Sequence, residues 1–139
     1  MIATYRTGTI CYVEIPATDA GISSAFYERA FGWKLRTHSD GSIAFDDTVG
    51  QVSGMWVLNR PPAVEPGFVI SIMVADARES VQAIIAAGGE IVRPIDSEAQ
   101  EITAWFRDPA GNVMGIYQEE GLAESEAQEA ATIKVTVNG

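Results

Sequence analysis

Cysteine is almost missing: Cys11 is the only one in 139 residues. A single thiol excludes an internal disulfide framework and a thiolate metal cluster within one chain. Histidine is equally scarce. His38 stands alone in the turn-like stretch RTHSDGS, so one chain cannot build a three-histidine or two-histidine-carboxylate metal site. No run of eighteen apolar residues occurs, so no membrane span is expected. The opening stretch MIATYRTGTI lacks the charged-then-apolar layout of a secretory signal, and a cytoplasmic location is expected. Basic residues number nine against nineteen acidic ones, a formal net charge of −10. Half of that excess comes from Glu119, Glu120, Glu124, Glu126 and Glu129, near the C-terminus. With no Lys/Arg cluster to offset it, this charge repels phosphate backbones, and no nucleic-acid partner is expected. Phosphate-cradling glycine loops and the G-x-S-x-G nucleophile turn are absent as well.

What is present is an apolar fraction of 47%, enough for a packed core, in a chain of one-domain length. It is also a repeat. FDDTVGQVSGMW (45–56) returns as FRDPAGNVMGIY (106–117), with Phe, Asp, Gly, Val and Gly kept in step at an offset of 61. Further upstream, TDAGISSAFYERAFGWKLR lies over ADARESVQAIIAAGGEIVR at an offset of 57. Each copy reads as strand, helix, then three short strands. TICYVEI (9–15) and FVISIMV (68–74) open the copies as β-branched and aromatic strands. Helices follow from about Asp19 to Phe31 and from about Asp76 to Ala87, with Asp19 and Asp76 suited as N-caps. Ile22, Ala25 and Phe26 share one helical face, as do Val81, Ile84 and Ile85. Gly32 and Gly88-Gly89 provide the stops. The repeated sentence is then a hairpin, once per copy, with Asp47 and Asp108 starting its turn.

These features predict an α+β fold of two tandem βαβββ modules forming a curled, concave mixed sheet. Module 1 spans about 8–59, RPPAVEPG (60–67) is a linker, and module 2 spans about 68–119. Residues 1–121 form one domain. Residues 122–139 are an acidic tail, in which GLAESEAQEAAT (121–132) reads as a polar helix or a loose segment and TIKVTVN (132–138) alternates like an extra edge strand. Cys11, opposite in face to Tyr12, is expected as a buried structural thiol, and His38 as a solvent-exposed side chain.

Three stretches resemble the vicinal oxygen chelate superfamily, which includes glyoxalase I, bleomycin-resistance proteins and extradiol dioxygenases. IPATDAGISSAFYERAFGW is similar to that family's first strand-to-helix segment, VADARESVQAIIAAGG to its second-module counterpart, and WFRDPAGNVMGIYQ to its closing hairpin. The match runs over roughly residues 8–119. Metal-dependent members carry ligands on the first and last strands of each module, typically His or Gln and Glu. Carried over, those positions fall on Tyr12 and Val69 and on Gly54 and Gly115, none of them a normal ligand for a hard cation. The resemblance therefore implies the scaffold without its metal shell, and no cofactor or metal is expected.

Strand alternation then extends the candidate pocket. Glu14 shares Tyr12's face and is a candidate general base or a seat for a cation. Trp56 and Tyr117 lie two past the paired glycines, and Ser71 and Met73 share Val69's face. Each of these can equally be core filling or an ordinary polar rim. Trp105 and Arg107 alternate with Ala104 and Phe106, and the pattern does not decide which pair faces inward. The expected function is metal-free binding of a hydrophobic or cationic small molecule in the concave sheet, by a homodimer, as the resemblance implies. The alternatives are a glyoxalase-like or dioxygenase-like isomerase or lyase using Glu14 or atypical ligands, and a protein-interaction module.

Overall fold

The computed structural model describes the backbone of residues 6–138 and the side chains of residues 6–133. The first half contains β1 (Tyr12–Pro16), α1 (Ala20–Phe31), β2 (Lys34–Thr37), β3 (Ile43–Asp46) and β4 (Ser53–Val57). The second repeats this order as β5 (Ser71–Val74), α2 (Ala77–Ala86), β6 (Glu90–Arg93), β7 (Thr103–Arg107) and β8 (Val113–Gln118). A last helix, α3 (Leu122–Asn138), follows. The chain is thus α+β with two βαβββ modules. Its strands form two four-stranded mixed sheets, β1-β4-β3-β2 and β5-β8-β7-β6. No ladder joins them among the described residues, so the curled sheet is divided where β1 and β5 each keep an unpaired edge.

Local chemistry sets the helix ends. The Asp19 carboxylate accepts from Ile22 N at 3.0 Å, and Asp76 accepts from Arg78 N and Glu79 N at 3.1 Å, each satisfying N–H groups a helix start leaves orphaned. Gly32 ends α1 in the left-handed region at φ 76, its N–H donating to Glu28 O. The buried stripe of α1 differs from the expected one. Phe26 and Tyr27 are buried with Ser23 and Ser24, whereas Ile22 is 60% exposed. Aromatic packing fixes this rotation: Tyr27 stacks on Trp33 at 4.6 Å and Phe26 lies 5.8 Å from Phe106 of the other module. In α2, Ile84 is buried and Ile85 is exposed.

Both helix-covered sheet faces meet in one core. Phe26, Tyr27, Trp33, Phe45 and Trp56 from module 1 share it with Ile84, Phe106, Met114 and Ile116 from module 2. Truncating one such ring costs about 3–5 kcal/mol. Two hydrogen bonds also cross between the modules, one buried and one partly buried. Tyr27 O–H donates to Asp108 Oδ2 at 2.8 Å, and Asn112 Nδ2 donates to the Pro16 carbonyl at 2.7 Å.

The alternating stretch 132–138 is not an edge strand; it continues α3. The preceding residues, AESEAQEAA (123–131), are strong helix formers, and the helix pairs its backbone within itself, with no need of a neighbouring strand. Leu122 is half-buried, while residues 123–133 are exposed.

Candidate functional site

The two hairpins position the candidate residues, and they differ by one residue. Asp46 pairs with Ser53, leaving 47–52 as the first loop, and Arg107 pairs with Val113, leaving 108–112 as the second. Both turns start alike: Gly50 N donates to Asp47 O, and Gly111 N donates to Asp108 O. The ladder is then closed by Val52 O in one and by Asn112 O in the other. Gln51 is therefore an extra residue, and an insertion of one exchanges the two faces of the strand behind it. The strand partners agree. Gly115 lies beside Ser71, and Met55 beside Glu14, the residue that matches Ser71 at the offset of 57. The counterpart of Gly115 is Met55, and that of Tyr117 is Val57.

Gly54 and Trp56 consequently do not share the face of Tyr12. They turn toward α1 with Val13, Ile15 and Phe45. Trp56 is 3% exposed and packs against Phe45 at 4.9 Å, with its buried Nε1–H lacking a hydrogen-bond partner among the described residues. Gly54 is glycine because Phe45, directly across the ladder, lies over it. A Cβ there would press into the Phe45 ring and the Val13 carbonyl oxygen.

The opposite face of each sheet is open. On the first sheet it carries Tyr12, Glu14, Ser53 and Met55. On the second it carries Ser71, Met73, Gly115 and Tyr117, with Val69 beside Gly115. Tyr12 is 52% and Met73 60% exposed, apolar surface that the core does not use. A Cβ on Gly115 would meet Ser71 Oγ at 2.8 Å, Val69 Cγ1 at 3.3 Å and Trp105 Cδ1 at 3.4 Å, so these three side chains close over the buried glycine.

The pair that alternation left open is resolved. Ala104 and Phe106 are buried, so Trp105 and Arg107 belong to the open face. Setting Phe106 against Phe45, a core ring, would have assigned it. The Arg93 guanidinium lies 4.2 Å over the Trp105 ring, and Arg107 Nη1 is 3.1 Å from Glu90 Oε2. On the first sheet, Ser53 O–H donates to Asp46 Oδ1 at 2.6 Å, and that bond, with Arg36 at 3.0 Å, holds the Asp46 carboxyl below its ordinary range. Glu14 is ion-paired with Arg60 at 3.3 Å. The charge of Glu101 raises the Tyr117 phenol.

Other expectations resolve simply. Cys11 is exposed, not buried, because it precedes the edge strand β1. His38 is exposed in the β2–β3 turn. Asp47 caps its turn, accepting from Val49 N and Gln51 N, and Asp108 does so from Ala110 N and Asn112 N.

With the register corrected, the four positions that the resemblance assigns to metal ligands become Tyr12, Met55, Val69 and Gly115. A phenol, a thioether, an alkyl group and no side chain at all do not suit a hard divalent cation. Among the described residues no group of three or more His, Cys, Asp or Glu could hold one.

Two cavities, of about 550 and about 260 Å³, lie between β1 and β5. Ser71 and Met73 line the larger and Glu14 the smaller. Tyr12, Val69, Gly115 and Tyr117 line neither, nor do Gly54 and Trp56.

Residues 9–116 match the model of the glyoxalase/bleomycin resistance protein/dioxygenase superfamily. The chain belongs to that superfamily. It is 26% identical over 125 residues to a glyoxylase-like domain-containing protein of Didymella fabae, covering 78% of this chain and 92% of the relative. It also matches a protein of Mycobacterium bovis that carries a glyoxylase name, CFP32, at 25% identity, but spans only 47% of that relative's length. Among solved structures, a superfamily enzyme from Burkholderia phytofirmans PsJN superposes with a TM-score of 0.64 at 22% identity, over 77% of this chain and 95% of the other. TnmS3, an antibiotic binding protein from Streptomyces sp. CB03234, superposes with a TM-score of 0.62 at 20% identity, over 84% of this chain and all of its own. At those identities the structural likeness speaks for the fold.

Proposed function

We propose that this superfamily member binds a small molecule without a metal, holding it against the open sheet faces. The observation that carries this reading is the donor set at Tyr12, Met55, Val69 and Gly115, which offers a cation almost nothing. In place of ligands the faces offer the aromatic and apolar surface of Tyr12, Met73 and Tyr117, which suits a flat or hydrophobic molecule. The similarity to TnmS3, described as an antibiotic binding protein, supports a binding role of this kind. Glu14, the candidate base for an isomerase or lyase, is already paired with Arg60, which favours binding without chemistry.

Each open face is one-sided in a single chain. A homodimer would close the pocket by setting the first-sheet face of one copy, with Tyr12, Glu14 and Met55, against the second-sheet face of the other, with Ser71, Met73, Gly115 and Tyr117. The site is then complete only in the pair.

Elemental analysis of protein purified without chelator, together with a thermal-shift screen of planar and hydrophobic compounds, tests the proposal. Metal well below one equivalent is expected, with at least one compound raising Tm. A ligand at a hundred times its Kd stabilises the native state by about 2.7 kcal/mol. Stoichiometric bound metal would overturn the reading. Glu14→Gln tests the catalytic alternative: turnover that survives the change would exclude Glu14 as its base.

A further inference from the structure

The larger cavity lies mostly on the helix side of the sheets and reaches the open face of the second sheet at Ser71 and Met73. It follows the gap between the unpaired edges of β1 and β5, on the side of the sheets that looks toward the helices. Its volume of about 550 Å³ is in the range of small-molecule pockets. Phe31, Trp33 and Phe45 wall it on the module 1 side, and Ile72, Val74 and Met114 on the module 2 side. The gap exists because the two sheets do not pair: each ladder stops at an edge strand, and the core closes only beyond it.

The charges at this cavity have one sign. Asp47 and Glu126 line it, and among the described residues no Lys, Arg or His does. The chain as a whole carries −10. Asp47 is already occupied in part, capping its turn through Val49 N and Gln51 N. Glu126 is exposed and comes from α3, as does Leu122. Leu122 is half-buried while residues 123–133 are exposed, so the described part of α3 is anchored at the mouth of this cavity. Gly121, at φ 82, turns the chain from β8 into that helix.

We propose that this cavity is a second binding site, taking an elongated apolar molecule with a single positive charge, and that Leu122 and Glu126 form its mouth. The apolar length is buried between the two aromatic and aliphatic walls. The cationic head lies near the carboxylates of Asp47 and Glu126. An anion of equal length would meet the same walls and two like charges. This site shares Ser71 and Met73 with the open face of the second sheet, but its apolar walls and its carboxylates are its own, and it does not depend on the binding proposed above.

Decyltrimethylammonium, kept below its micelle concentration, is the probe, with decyl sulfate as the anionic control. Both are titrated into the full chain by calorimetry and by tryptophan fluorescence. Saturable binding of one cation per chain is expected, at least tenfold tighter than decyl sulfate. Glu126→Gln, on an exposed helix surface, should weaken the cation several-fold while leaving far-UV circular dichroism unchanged. Ser80→Trp, which narrows the cavity from α2, should abolish binding, and Tyr12→Ala, on the open face and lining neither cavity, should leave it unchanged. Absence of saturable binding, equal affinity for cation and anion, or a cation affinity untouched by Glu126→Gln would overturn the proposal. Loss of cation binding in Tyr12→Ala alone would do so too, by moving the ligand to the open face and leaving only the earlier reading.

Discussion

The hairpins β3–β4 and β7–β8 open with the same turn and finish with opposite faces of their last strands toward the core. In the first, Gly54 and Trp56 point inward. In the second, Met114 and Ile116 do, and Gly115 and Tyr117 point out. One loop residue, Gln51, makes the difference. A repeat can keep its spelling and still reverse its meaning, because side chains on a strand alternate with period two.

The sharpest way to break this comparison is to give each glycine a methyl group. Gly54→Ala should destabilise the chain by roughly 3 kcal/mol, since the new Cβ meets the Val13 carbonyl oxygen and the Phe45 ring, neither free to move. Gly115→Ala should stay within about 1 kcal/mol either way, because Ser71 Oγ can rotate aside and the substitution stiffens the unfolded chain. Urea denaturation measures both. Equal losses would mean that both glycines face the core.

The turn aspartates give the next contrast. Asp108 is 3% exposed and serves Tyr27 O–H, Asn112 Nδ2 and two backbone N–H groups. Asp108→Ala should cost about 3 kcal/mol, as these buried donors lose their acceptor. Asp47→Ala should cost about 1 kcal/mol, because water can replace its carboxylate at a more exposed turn. A chemical-denaturation series with both variants and their double mutant reads the difference.

A smaller effect appears at high pH. Burial first, then the charge and hydrogen bond of Asp108, push the Tyr27 phenol well above its ordinary value of 10.0. Once pH passes about 10, the unfolded tyrosine loses its proton while the folded one keeps it. The native state then binds more protons, so stability falls as pH rises, from the unfolded pKa toward the raised folded one. Tyr27→Phe should make that alkaline decline shallower in melting curves taken from pH 9 to 11. An unchanged slope would place the effect on other groups. The smallest change expected is that of Glu14→Gln, within about 1 kcal/mol, since its partner Arg60 is half-exposed.

Much of this architecture was legible in the residues. Asp19 and Asp76 cap their helices, Gly32 ends one, and the strand–helix–strand order of both copies follows the apolar pattern. What failed has particular causes. The face of Gly54 and Trp56 was misread because matching Asp47 to Asp108 and Gly50 to Gly111 hides a residue added after them. Ile22 looked like core by spacing, yet Tyr27 and Phe26 set the rotation through rings supplied from other elements. The alternation in 132–138 suited a strand, but the helix starting at Leu122 runs through it. On the second sheet, Tyr117, Met73, Ser71 and Gly115 lie on one face as spacing implied, while Trp105 could be sided only once Phe106 was known to be buried.

The hydrogen bonds from Tyr27 to Asp108 and from Asn112 to Pro16 tie each half of the duplication to atoms of the other. Neither half is a self-sufficient piece: cut at the linker, one would keep a buried hydroxyl with nowhere to donate, the other a carboxylate bereft of its neighbour. Such a molecule should melt as one cooperative unit, its duplicated origin invisible to a calorimeter.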